Sequence, residues 1–429
     1  MTKIITRFPP SPTGPLHVGN VRTALFNYLF ARQNGGDFVV RVEDTDRARS
    51  KKEYEEDMLE NLIWLGMSRD GDLWHQSERT EVYKKYLNKL IEEDKAYISH
   101  ETEGENREVV RFRNPNKRVS FEDLIRGQVE FDTTELGDFI IARNINEPVY
   151  HLAVVVDDHE AGVTHVVRGE DHISNTPRHI LIQEAIGASR PIYAHLPLIL
   201  APDRSKLSKR KHGEKVSLNY YRSLGYLPEA IVNYFALLGW NPGTDQEIFT
   251  MDELIKEFDF SKIQKGGAIF DEKKLKWVNK EHIKRMDREV LEKILHDKIK
   301  SSFPEKDIPN GLTEILVERI EVISDLDELI MAGELDYFFG KPGLDVQKIC
   351  WKTETKENTV KHLEEVKKII ENNTDVMAYA ESVGKGNVLW PLRYSLSGKE
   401  KSPDPFTLLK ILGKEEAISR IDKAIEVLK

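Results

Sequence analysis

The 429-residue chain has a single cysteine, Cys350, which excludes an intrachain disulfide and a zinc site built on several thiolates. No run approaches the roughly 18 apolar residues that a membrane-spanning helix needs. The first residues lead into a β-prone run without the apolar core of a signal peptide, so the expected address is the cytoplasm. Internal repeats and low-complexity segments are missing. Basic charge is not in excess either. A net charge of −10 argues against a uniformly basic nucleic-acid binder and leaves local stripes, at 206–215 and 273–285, to meet phosphates. Neither GxxxxGK[ST] nor GxGxxG occurs, which removes the ordinary P-loop and dinucleotide readings.

What is present begins at RFPPSPTGPLHVGN, residues 7–20. Ile4, Ile5 and Phe8 make a short apolar run, and Pro9, Pro10, Pro12, Gly14 and Pro15 forbid its continuation as strand or helix. Val21, Ala24, Leu25, Tyr28, Leu29 and Arg32 then recur at helical spacing. A strand, a tight loop and a helix are therefore expected in βα order. The loop delivers His17, Gly19 and Asn20 to a helix N-terminus, whose unpaired N–H groups suit a nucleotide phosphate, with Gly19 opening the backbone to its approach. A bare βα turn with an incidental histidine is the alternative.

Residues 38–42 read as a second strand leading into Glu43, Asp44, Thr45 and Asp46, acids placed to face the same crevice as HVGN. Asp46 reads equally well as a cap before a helix over 51–65. The near-continuous apolar runs at 150–158 and 163–168 predict two more parallel strands, buried on both faces. Between them and the first half, residues 96–147 break the βα rhythm with short alternating runs, the pattern of an inserted α+β segment. His165, His172 and His179 recur every seven residues on a strand end, a turn and a helix, so no shared metal sphere is expected. Residues 206–215, KLSKRKHGEK, predict a mobile basic phosphate-binding loop, and the chain beyond about 287 reads as helices.

SPTGPLHVGN followed by KLSKR resembles the HIGH and KMSKS signatures of class I aminoacyl-tRNA synthetases. VEDTDRAR, YHLAVVVDDH and RGEDHISNTP resemble the glutamyl-tRNA synthetases in particular, and the resemblance runs from residue 7 to about 280. It implies a Rossmann-like parallel-sheet catalytic domain split by an insertion and followed by an all-helical anticodon-binding domain. The expected boundaries are 1–95 and 148–205 for the catalytic halves and 96–147 for the acceptor-end-binding insertion. Residues 206–286 would hold the KLSKR loop and stem-contact region, and 287–429 the anticodon-binding domain.

The reaction implied is the joining of L-glutamate and ATP, with Mg²⁺, into glutamyl-adenylate, then transfer to the 3′ end of tRNA(Glu). The resemblance assigns ATP to His17, Gly19, Asn20 and Lys209, with Lys206 assisting catalysis. It assigns glutamate to Arg7, Ser11, Glu43, Tyr150, Arg168 and Asp171. Some relatives carry zinc in the insertion, but this one has only His100 and no cysteine there, so no zinc is expected. The expected chain is a monomer. Arg168 as a structural ion pair, an enzyme that also charges tRNA(Gln), and an inactive RNA-binding relative remain as alternatives.

Overall fold

A computed structural model describes residues 3–101 and 108–429, without the side chains of Lys209 and Arg210. The chain divides into two units, Met1–His282 and Ile283–Lys429.

In the first unit, strand β1 (Ile5–Phe8) ends where Pro9 and Pro10 remove ladder donors. Helix α1 (Val18–Gln33) follows, with His17 as its N-cap. Ten of its sixteen residues are buried, so α1 is enclosed between the sheet and later helices and not merely laid on one face. Strand β2 (Asp37–Val42) returns parallel to β1, with Arg7 beside Val39. Helix α2 (Lys52–Trp64), strand β3 (Trp74–His75), parallel to the end of β2, and helix α3 (Thr80–Glu92) complete the first half.

The inserted stretch contributes β4 (Ala96–His100), β5 (Glu108–Phe112), β6 (Arg118–Asp123), β7 (Gly127–Asp132), β8 (Phe139–Asn144) and β9 (Glu147–Pro148). β4, β5, β8 and β9 form an antiparallel sheet, and β6 and β7 a hairpin. The alternating buried and exposed residues of β6 are the physical reason it is a strand. The helices that share a core with these strands, α3, the one over Thr176–Ile186 and the one that follows β9, lie outside the stretch.

That following element is helix α4 (Tyr150–Glu160), which corrects the strand expected at 150–158. The continuous apolar run arises because residues 152 to 158 are all buried, and periodicity alone does not separate a buried strand from a buried helix. The difference matters to the site. Residues 150 and 158 stand about 12 Å apart along a helix but about 26 Å apart along a strand. The second expected strand is present as β10 (His165–Gly169), and helix α5 (Thr176–Ile186) and strand β11 (Ile192–Leu196) complete the motif.

Thr164 donates its N–H to the Ile5 carbonyl (3.0 Å), and the Ile5 N–H bonds Thr164 Oγ1 (2.9 Å), which sets β10 beside β1. β11 pairs parallel to β10, and β6 pairs with β11 where Tyr193 meets Asp123. The strand order β3-β2-β1-β10-β11 is that of a doubly wound sheet whose winding reverses between β1 and β10, where ligands collect outside the carboxyl ends. Beyond lie β12 (Ile199–Leu200), α6 (Lys209–His212), α7 (Leu218–Ser223), α8 (Pro228–Leu237), α9 (Met251–Glu257), β13 (Ala268–Ile269) and α10 (Glu272–Arg285).

In the second unit all regular structure among the described residues is helical. Helices Lys356–Glu371, Lys385–Ser397 and Lys414–Leu428 bury Leu363, Val366, Val388, Leu392, Leu396, Ile421 and Ala424 together. Buried Arg420 donates to the carbonyls of Leu396 (2.5 Å) and Gly340 (3.2 Å), tying two chain turns to the last helix.

Candidate active site

Two groups of residues meet at the switch point. The first is built on buried charge. Arg7, 1% exposed, donates Nε to Asp158 Oδ2 (3.3 Å) and Nη1 to the Val167 carbonyl (3.4 Å). Arg41 donates to the other Asp158 oxygen (2.8 Å) and to Glu43 Oε1 (3.2 Å), and its Nε lies 3.5 Å from Asp157. Asp157 is held in turn by Gln76, Arg79 and Tyr83. Burial opposes ionisation of Asp158, but Arg7 and Arg41 outweigh it and hold the carboxyl below its ordinary range. At Glu43 burial prevails over Arg41 and Arg7, and the carboxyl is pushed up.

Arg168 is also buried, yet no carboxylate among the described residues lies within ion-pair distance of it. Its partners are neutral. Nε donates to His195 Nε2 (3.2 Å), Nη1 to His179 Nδ1 (3.2 Å) and Nη2 to Thr176 Oγ1 (2.8 Å). Three of the five N–H groups of a guanidinium are used in this way, and two have no partner among the described residues. Burial lowers its proton affinity, the signature of a cation without a counter-charge. The structural ion pair that was the alternative for Arg168 is therefore absent among the described residues. Tyr150, at the start of α4, brings its hydroxyl to within 3.4 Å of His172 Nδ1, and burial raises it against the fields of Arg168 and Arg7. Arg7, Glu43, Tyr150 and Arg168 thus converge although they come from four elements.

The second group surrounds the start of α1. His17 Nδ1 accepts from the N–H groups of Gly19 (3.1 Å) and Asn20 (3.4 Å), so the proton of the neutral ring sits on Nε2. A Cβ on Gly19 would stand 3.0 Å from His17 Cε1. The imidazole thus lies against Gly19 and engages the N–H groups of Gly19 and Asn20, which leaves Nε2–H as the ring's remaining donor. Desolvation of the ring, then Lys206, lower its pKa against the pull of Asp171.

Lys206 pairs with Asp171 at 3.0 Å. Partial burial of Asp171 is outweighed by that bond and by the charges of His172 and Lys206, so its pKa falls. A Cβ at Gly169 would lie 2.5 Å from Asp171 Oδ1, so only glycine lets this carboxylate fold back over the strand end. The KLSKR segment is anchored by Leu207 N–H to the Ile199 carbonyl (3.0 Å), and Ser217 bridges back to His17 beside a Leu218 N–H bond to the Leu16 carbonyl (2.9 Å). Those bonds set HVGN beside the segment that follows KLSKR. Arg22, buried and lowered by burial to about 10, reinforces them by donating to the carbonyls of Pro197 and Leu238.

The remaining expected residues are less engaged. Ser11 is exposed, with its carbonyl accepting from Thr13 (2.8 Å). Lys209 opens α6, and its side chain lies outside the described residues. Asp46 closes a turn onto Arg49 (2.6 Å) and does not cap α2, whose N-cap is Lys51. Arg41, Asp123 and His195 carry no sequence signal for their roles, Asp157 and Asp158 stand in a motif without a role assigned to them, and His179, weighed above only as a metal ligand, is a partner of Arg168. No group of three or more metal-ligating side chains capable of holding an ion occurs among the described residues.

Comparison with known proteins bears on the whole chain. Residues 3–108 and 100–277 match the catalytic domain of class I tRNA synthetases for glutamate and glutamine, and 272–425 match an anticodon binding domain. The chain is 40% identical to the glutamate–tRNA ligase of Aquifex aeolicus over 100% of both chains. It is 38% identical to glutamate–tRNA ligase 1 of Petrotoga mobilis, over 99% of this chain and 97% of that one. A crystal structure of a glutamate tRNA ligase from Elizabethkingia meningosepticum in complex with its amino acid superposes with a TM-score of 0.86 at 35% identity, over 100% of both chains. With a parallel sheet that opens at β1 and β10, a helical second unit and matches along its full length, the chain belongs to the glutamate–tRNA ligases of the class I tRNA synthetase family.

Proposed function

We propose that the chain attaches L-glutamate to the 3′ end of tRNA(Glu) in two steps. In the first, a carboxylate oxygen of glutamate attacks the α-phosphorus of ATP. The new C–O–P linkage forms as the bond to the β-phosphate oxygen breaks, and pyrophosphate leaves. In the second, a ribose hydroxyl of the tRNA end attacks the activated carbonyl and AMP leaves. Placement and neutralisation of charge supply most of the catalysis for both.

The observation that carries this reading is Arg168, a buried guanidinium with neutral partners and two N–H groups to spare. A carboxylate supplies the missing counter-charge, and a guanidinium fork binds it bidentately. Arg168, with Tyr150 and Arg7, takes the side-chain carboxylate, while Glu43 and Ser11 address the amino end. His17 Nε2–H, Lys206 and Lys209 meet the triphosphate, and Lys206 exchanges its Asp171 partner for phosphate oxygen as ATP enters. ATP arrives as its Mg²⁺ complex, the ion held mainly by phosphate oxygens and water.

Arg168→Ala is expected to raise the KM for glutamate about 100-fold while changing that for ATP little, because a site built for a carboxylate loses its counter-charge. Steady-state charging assays check this. An unaltered glutamate KM would make Arg168 structural.

A further inference from the structure

The guanidinium of Arg168 has no freedom to choose its partners' protonation states, because arginine only donates. His195 Nε2 must therefore accept from Arg168 Nε, and the ring proton must sit on Nδ1. There it meets Asp123, whose Oδ2 lies 2.6 Å away. Both side chains are buried, His195 completely. Asp123 is itself held by the backbone N–H groups of Ile125 (2.9 Å), Arg126 (2.9 Å) and His195 (3.0 Å). It thus arrives ionised and fixed in place. Asp123 is the last residue of β6, so it comes from the insertion and not from the catalytic sheet's own βα units.

Resting on the glutamate-site reading above, we infer that Asp123 is a specificity-determining positioning residue. It locks His195 in the Nδ1–H tautomer, and His195 in turn orients Arg168 for the substrate's side-chain carboxylate. No atom of Asp123 needs to touch the substrate. Thr176 completes the cradle: its Oγ1 accepts from Arg168 and lies 3.1 Å from His195 Nε2. Without the carboxylate, the ring is free to carry its proton on Nε2, donor then faces donor, and the guanidinium swings off its line.

The test uses the full chain with ¹⁵N-labelled histidine. Long-range ¹H–¹⁵N spectra report the tautomer of each ring, and His195 is assigned by the signal lost in His195→Gln. The wild-type protein is expected to show neutral His195 with its proton on Nδ1; an Nε2–H tautomer or an imidazolium at neutral pH would overturn the inference without any change at Asp123. Asp123→Asn, which sets an amide donor against Nδ1, is expected to move the proton to Nε2. It should raise the glutamate KM about 10- to 100-fold, the range for losing a charge-assisted hydrogen bond, and leave the ATP KM within about two-fold.

In a His195→Gln background an amide oxygen can accept from Arg168 unaided, so Asp123→Asn should add no more than about two-fold; full additivity of the two changes would contradict the proposed coupling. Arg168→Lys separates the two claims. A raised glutamate KM there with an unaltered one in Asp123→Asn overturns the positioning role alone, whereas an unaltered KM in Arg168→Lys overturns the glutamate site on which it rests.

Discussion

A guanidinium removed from water without an anion beside it loses more hydration than neutral acceptors return, so Arg168 is held at a cost that a bound carboxylate offsets. Arg7 differs, because it already has an anion beside it in Asp158, shared with Arg41. The same attention to single atoms gives a prediction at Gly19. Alanine there would press its Cβ to 3.0 Å from His17 Cε1, shift the ring and misplace Nε2–H. Pyrophosphate exchange should fall by about ten-fold, since small misplacements of a positioned donor are enough; wild-type exchange rates in Gly19→Ala would remove His17 from phosphate recognition. Motif resemblance drew attention to Arg168, Lys206 and His17. Arg41, and the part Asp158 plays, were not legible, because Arg41 reaches Asp158 across 117 positions and Arg7 does so across 151. Sequence proximity carries no trace of such pairs.

Helix α4 shows the limit of periodicity at the scale of elements. Leu152, Ala153, Val154, Val155 and Val156 are all buried, so no polar face marks the helical turn, and β-branched content favours the strand reading. The strands β1, β2 and β10 were legible because proline, acidic or RGED stops follow short apolar runs. As a helix, α4 sets Tyr150, Asp157 and Asp158 at offsets of seven and eight, one side of the cylinder, which explains how one element serves both the Arg41 network and the crevice. Asp157 is fully buried and meets Arg41, Arg79, Gln76 and Tyr83. Asp157→Ala therefore leaves buried cations without their anion and should destabilise the first unit by about 3–5 kcal/mol. Denaturant unfolding checks it; a loss below about 1 kcal/mol would mean that the network is solvated.

Across the whole molecule, the protonation of buried histidines couples stability to pH. Burial lowers His165, His172, His179 and His195, and takes His151 to about 4. His75 moves the other way, raised by Glu55 despite partial burial. A histidine depressed in the folded state binds more protons when unfolded, so its stabilising share is complete above about pH 6.5 and is lost as pH falls toward the folded value. Each adds a slope of up to about 1.4 kcal/mol per pH unit in that window. Unfolding free energies measured between pH 7.5 and pH 5 should therefore drop well before carboxylates titrate. A flat profile down to pH 5 would show that these rings remain open to water. The central claim, that the chain charges tRNA with glutamate, is tested most directly by one assay: purified protein, ATP, Mg²⁺, labelled glutamate and a tRNA(Glu) transcript. The account predicts an acid-precipitable product released by mild base, formed by the wild-type chain and strongly reduced in Arg168→Ala at low glutamate. No labelled tRNA from the folded wild-type protein would contradict it.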